Sequence, residues 1–148
     1  MIRELAYGTN RAFFYQVNTA ASPEIIWQLW TDPTTWKNWD AEIKEAFLDS
    51  KMKLGSKGSL TPSSGLKAKF EVIEYEKMQY YAFVTKLPAA TLTVKRSFVQ
   101  IQPVVFRHDV FFSGTLAWLW SFLLGNKFRR ALPHAMEKLA ILALETKR

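Results

Sequence analysis

The sequence predicts an α+β domain: a curved antiparallel sheet of seven strands, two short helices near its start and one long helix at its C-terminus. Three observations predict it. Apolar residues recur with period two through most of residues 41–113, Pro-led helix starts stand at Pro23 and Pro33, and an apolar i, i+3, i+4 stripe runs from Leu116 onward.

The first element is RAFFYQV, residues 11–17, aromatic-rich and suited to a strand. SPEIIWQLWT then starts a helix. Ser22 is a capping residue type, Pro23 suits the first helical position, where no N–H bond is needed, and Glu24 complements the positive end of the helix dipole. Asp32-Pro33 repeats that signature, so the first helix stops near Thr31 and PTTWKNW forms a second. Six further strands follow: AEIKEAFLD (41–49), KGSLTP (57–62), LKAKFEVIEY (66–75), QYYAFVTKL (79–87), ATLTVKRSFVQI (90–101) and VVFRHDVFFS (104–113). They are separated by GSKG, SSG, EKM, PAA and the Gln102-Pro103 break, connections short enough for an antiparallel meander. Alternation is clearest at 66–72, where Leu66, Ala68, Phe70 and Val72 share one face and Lys67, Lys69 and Glu71 the other. The terminal stripe runs through Leu116, Leu119, Trp120, Leu123, Leu124, Phe128, Leu132, Met136, Leu139, Leu142 and Ala143. Gly125-Asn126 and Pro133 predict a bend or break within it, since Pro133 has no N–H to give the carbonyl of Arg129.

No linker, repeat or low-complexity segment divides the 148 residues, so the expected organisation is one domain, 1–148. A domain of that size buries roughly 68–70% of its unfolded surface. Eleven Phe, six Trp and five Tyr make its interior bulky or partly hollow. The absence of cysteine excludes disulfides, thiolate zinc sites and cysteine nucleophiles, and agrees with a reducing compartment. The N-terminal MIRELAYGTNRAFF lacks the apolar core of a signal peptide. The strongest apolar run, Thr115 to Gly125, falls short of the roughly 20 residues that span a bilayer, so no transmembrane segment and a cytoplasmic location are expected. The net charge of +7 is dispersed over Lys51, Lys53, Lys57, Lys67, Lys69, Lys127, Arg129 and Arg130, which favours solvated faces over a specific nucleic-acid surface.

FFYQVNTAASPEIIWQLWTDPTTWKNWD, with its strand, Pro-Glu helix start and paired Trp, and FFSGTLAWLWSFLLGNKFRRALPHAMEKLAILA, with its closing strand, Ser-Gly turn and long helix, resemble the START/Bet v1-like superfamily. Within it they are similar to the small SRPBCC proteins grouped as polyketide cyclase/dehydrase and lipid-transport domains. The resemblance spans nearly the whole chain and implies a helix-grip fold with a cavity between the sheet and the C-terminal helix. It implies a hydrophobic or amphipathic small molecule as partner: a lipid, quinone or polyketide. Most members bind or carry such molecules, and a minority catalyse cyclisation, dehydration or hydroxylation. The chain departs from the iron-dependent hydroxylases, because its two histidines are 26 positions apart and it has no Cys; no metal and no cofactor are expected. A monomer or homodimer is expected.

Period two puts one charge on each of two apolar faces. Leu92, Val94, Arg96 and Phe98 share a side, as do Val104, Phe106, His108, Val110 and Phe112. An inward Arg96 would hold a carboxylate or phosphate, and an inward His108 would move a proton or hydrogen-bond an oxygen. If the phase is shifted by one residue, Arg107 and Asp109 face inward instead. Arg96 could equally pair with Glu71 or Glu74, with His108 a satisfied core group. The candidate lining comprises Phe70, Phe83, Phe98, Phe106, Val110 and Phe112 from the sheet, joined by Val72, Tyr81 and Val94, with Trp120, Leu124, Phe128 and Met136 from the helix. The four tryptophans at 27, 30, 36 and 39 are most simply a clamp between the short helices and the sheet, with Trp36 and Trp39 candidates for the pocket rim. Ser113-Gly114 lacks a nucleophile-elbow context, Gly55-Ser56-Lys57-Gly58 lacks phosphate-loop spacing, and no carboxylates are paired by spacing. The favoured reading is binding or transport of a hydrophobic molecule without catalysis. A cyclase or dehydratase using His108 as acid/base and Arg96 to stabilise an enolate is the alternative, and a protein-interaction module the third.

Overall fold

The computed structural model describes residues 5–63 and 65–146; Ser64 of the SSG connection and the first residues of the MIRELAY segment lie outside them. The elements are β1 (Tyr7–Gly8), β2 (Ala12–Thr19), α1 (Pro23–Thr31), a 3-10 helix (Pro33–Asn38), β3 (Ile43–Leu48), β4 (Lys57–Pro62), β5 (Ala68–Glu76), β6 (Tyr80–Leu87), β7 (Ala90–Ile101) and β8 (Val104–Ser113). Then come α2 (Ala117–Trp120), a π turn (Ser121–Gly125) and α3 (Asn126–Glu145).

The strands form one antiparallel sheet in the order β1-β2-β8-β7-β6-β5-β4-β3. It has eight strands where the sequence predicts seven. The addition, β1, is two residues long and pairs Tyr7 with Phe14 and Gly8 with Phe13, too short to carry a period. Gly8 has φ +108°, and a Cβ there would sit 2.4 Å from the carbonyl oxygen of Ala12, so this close approach requires glycine. Leu66, predicted to face inward, precedes β5 and is 91% exposed; the buried face begins in earnest at Phe70 and Val72.

β2 lies beside β8 while β3 forms the far edge, so the chain between them must cross the sheet. α1 and the 3-10 helix make that crossing, and their burial follows from it: Ile26, Trp30, Trp36 and Trp39 are nearly inaccessible. Asp32 Oδ1 caps the 3-10 helix, accepting from the Thr34 N–H at 3.1 Å and from the Thr34 hydroxyl at 2.6 Å. At Ser22 the hydroxyl donates to Glu24 Oε1 at 2.8 Å, and no side-chain cap bond forms to the helix backbone.

The C-terminal segment packs on β2 and α1, burying Ala135, Met136, Leu139, Ala140 and Ala143. The predicted interruption at Gly125-Asn126 takes the form of the π turn, which inserts a wider coil without ending the helix. Gly125 is required there, because a Cβ would meet the Asn10 carbonyl oxygen at 2.2 Å. Pro133 lies inside α3, which continues past it. The Arg129 carbonyl that Pro133 leaves without a helical donor accepts from the Ala6 N–H at 3.0 Å, and Arg129 Nε donates back to the Ala6 carbonyl at 2.8 Å. The proline thereby opens a docking point for the N-terminal segment.

Candidate site beneath Trp39

Arg96 on β7 and His108 on β8 are direct cross-strand partners, and both point into the core, 3% and 1% exposed. The register at these positions excludes the shifted phase. Arg107 and Asp109 instead pair on the opposite face, at 2.9 Å, with the Arg107 guanidinium over the Phe14 ring.

α1, the 3-10 helix and the residue that ends it lay three indoles, Trp30, Trp36 and Trp39, against these two residues. Trp30 Nε1 donates to His108 Nε2 at 3.0 Å, and Trp36 Nε1 donates to the Trp30 carbonyl at 3.0 Å. The Tyr81 hydroxyl donates to the same carbonyl and accepts from Arg96 Nη1 at 2.7 Å. The guanidinium carbon lies 4.5 Å from the Trp36 ring centre, 4.9 Å from Trp39 and 5.1 Å from Phe83, a set of cation–π contacts in a dry setting.

This burial sets the protonation states. Desolvation, helped by the positive Arg96, pushes the His108 pKa well below 6.5, so its imidazole is neutral; because Nε2 accepts, the proton sits on Nδ1. Desolvation also pushes the Tyr81 phenol up to about 12, against the opposing pull of Arg96. Asp40 is raised by burial, with the Glu42 N–H, 3.0 Å from its Oδ1, and the Arg96 charge acting in the other direction.

Arg96 has no carboxylate within ion-pair distance among the described residues. Glu74, a candidate partner, is held by Lys95 at 2.9 Å. Arg96 Nε and Trp39 Nε1 are both buried without a hydrogen-bond partner. A buried cation and a buried N–H left in this state are costly in a closed core.

Above them runs a surface groove of about 590 Å3, lined by Trp39, Ala41, Glu42, Lys127, Arg130, Ala131, His134, Ala135 and Lys138. Its α3 wall follows helical spacing, with Lys127, Arg130, His134 and Lys138 supplying the basic groups and Ala131 and Ala135 a low floor. Lys127 Nζ reaches Glu42 Oε1 at 3.2 Å across the groove. Trp39 is the partition, lining the groove while its ring lies 4.9 Å from Arg96 Cζ.

The other lining candidates are distributed through the core. Trp36, Phe70 and Phe83 form one packed group, with centroids 5.0–5.6 Å apart. Phe98 and Phe106 lie against Trp30 at 4.7 and 6.0 Å. Val110 and Phe112 are buried further along β8, and Trp120, Leu124 and Phe128 are partly buried against the core, with the Trp120 indole donating to the Pro88 carbonyl at 2.9 Å. Of the groove's basic α3 face, the sequence suggests only solvated charge at Lys127 and Arg130, and nothing at His134 or Lys138. Its signal was present in the spacing 127, 130, 134, 138.

No family model matches the chain, and no curated protein sequence matches it. Solved structures do. A hypothetical protein from Helicobacter pylori aligns over 97% of this chain and 98% of its own, at 12% identity and a TM-score of 0.70. Protein NE0264 from Nitrosomonas europaea aligns over 94% and 97%, at 11% identity and 0.69. Norcoclaurine synthase from Thalictrum flavum aligns over 92% and 87%, at 12% identity and 0.66. At such identities the likeness is one of architecture: the chain shares the α+β helix-grip fold of these structures.

Proposed function

We propose that the chain binds an amphipathic small molecule with an acidic end, without catalysing its conversion. The observation that carries this reading is the buried Arg96 guanidinium, whose Nε has no partner and which one indole, Trp39, separates from a basic groove. An anion entering beside Trp39 would supply the missing charge and acceptors, and Arg96 can receive a carboxylate through two parallel N–H bonds. The apolar part would lie against Trp39, Ala131 and Ala135. A groove of this volume falls in the range of small-molecule sites.

The cyclase or dehydratase reading asks His108 to exchange protons. Its Nε2 is occupied by the Trp30 indole, so that role requires this buried hydrogen bond between α1 and β8 to open first. Binding is therefore the better-supported reading.

The test compares dodecanoate with dodecanol by calorimetry on the purified chain. Binding of the acid, weaker for the alcohol and lost in Arg96→Met, supports the reading. Equal affinities for both, or no binding of either, would refute it.

A further inference from the structure

We infer that the outward face of α2 and the π turn docks on an anionic lipid surface. This segment reverses the usual polarity of a surface helix. Its buried face is small: Ala117, Ser121 and Gly125, four residues apart. Its outward face is large and apolar, with Trp118 61%, Phe122 79% and Leu123 56% exposed.

The rings are held outward by a fixed support. The Leu116 N–H donates to the Ala89 carbonyl at 2.9 Å, the Trp120 indole is tied to Pro88, and Gly125 lies against the Asn10 backbone. Small residues on the inner face let the helix sit low on the body, leaving the larger side chains standing proud of it.

Two occupants could cover such a face, and size and charge decide between them. A stable dimer buries on the order of 800 Å2 per partner. Three side chains on two helical turns fall well short of that, and two copies of a chain with net charge +7 repel. A membrane needs less area: a few Trp, Phe and Leu side chains entering the headgroup boundary, with cations beside them, suffice for reversible binding. Here the cations are in place. Lys127 and Arg130 follow one and two turns after Leu123, both exposed, and Trp118 is the residue type that settles at headgroup depth. Lys127 and Arg130 also line the groove, whereas Trp118, Phe122 and Leu123 do not, so the apolar side chains separate the two readings.

The test is co-sedimentation of the purified chain with vesicles of phosphatidylcholine alone, or with about one-third phosphatidylserine. Binding to the anionic vesicles that weakens with added salt is expected. Trp118→Ser combined with Phe122→Ser should lower the partition coefficient about tenfold or more while leaving the circular dichroism and dodecanoate affinity unchanged. Lys67→Ser combined with Lys69→Ser, which removes two exposed charges elsewhere, should lower it far less. Equal losses in the two variants, or wild-type binding by the first, would overturn the proposal. So would a dimer in sedimentation velocity that the first variant dissolves in a chain that ignores vesicles.

Discussion

The Trp30 indole and the His108 imidazole, 78 positions apart in sequence, share a buried hydrogen bond of 3.0 Å from Nε1 to Nε2. It ties the helix that crosses the sheet to the strand beneath it. It also requires Nε2 to carry a lone pair and no proton, so acid acts directly against this contact.

The sign of the pH effect follows. Above 6.5 His108 is neutral in both states; below it the unfolded chain takes up a proton that the folded chain resists. Stability therefore falls as pH drops below 6.5, by about 1.4 kcal/mol per pH unit, until the depressed folded pKa is reached. Asp40 opposes this at lower pH: its raised folded pKa means the folded state protonates first, so stability rises as pH falls toward 3.8. His108→Gln removes only the first contribution while its amide oxygen can still accept from Trp30. Urea unfolding across the acid range should show a shallower decline for the variant than for the wild type.

Arg96→Met tests whether the guanidinium serves stability or ligand binding. The variant loses a hydrogen bond to Tyr81, worth about 1 kcal/mol, and cation–π contacts worth roughly 0.5–2 kcal/mol. It also removes the desolvation of a buried cation that has no carboxylate partner, a cost of several kcal/mol. These nearly cancel, so the melting temperature should stay within a few degrees of wild type while acid binding is lost. Loss of the Arg96 charge also relaxes the His108 pKa upward, which calorimetric proton uptake at acid pH would register.

Trp39 divides groove from core, and its size and its polar atom can be tested separately. Its Nε1 makes no hydrogen bond, so Trp39→Phe sacrifices no partner and should cost less than about 1.5 kcal/mol. Trp39→Ala empties a nearly fully buried site and should cost about 3–5 kcal/mol. If Trp39 walls the ligand, the Phe variant should change dodecanoate affinity while remaining close to wild type in thermal unfolding.

Period-two alternation grouped Arg96 and His108 with apolar neighbours but left open which face turned inward; the structure turns that group into the core, because a strand in the middle of a sheet leaves its side chains only two directions. The limits of KGSLTP, ATLTVKRSFVQI and VVFRHDVFFS were equally legible, since turns bound them closely. What packs between helix and sheet was not. Whether Trp36 and Phe83 enclose space or stack at 5.0 Å depends on the height at which the 3-10 helix rides over the sheet, which no local pattern encodes. β1 escaped for a related reason: Tyr7–Gly8 is held by the hairpin with β2 and by the neighbouring Ala6–Arg129 contacts, which are tertiary. The outward Leu123 was hidden by its own hydrophobicity: the i, i+3, i+4 stripe assigns it inward, whereas within the π turn it is 56% exposed.

Gly125 sets two effects of opposite sign against each other. At φ −59° it has helical geometry, and by propensity alone Gly125→Ala would stabilise by about 1 kcal/mol. The new Cβ, however, would stand 2.2 Å from the Asn10 carbonyl oxygen and 2.9 Å from its carbon, and backbone atoms cannot turn aside as a flexible side chain can. Overpacking of this kind costs about 1–3 kcal/mol, so the clash should prevail and the variant should melt lower. The displacement has a direction. It drives residues 9–11 away from the helix, stretching the 3.3 Å Arg129–Asn10 bond and the paired bonds between Arg129 and Ala6. Hydrogen exchange should therefore show the Ala6 amide losing protection before the amides of β7 and β8. A uniform loss across the sheet, or a higher melting temperature, would show that the N-terminal loop yields freely and that Gly125 is not what holds the π turn against it.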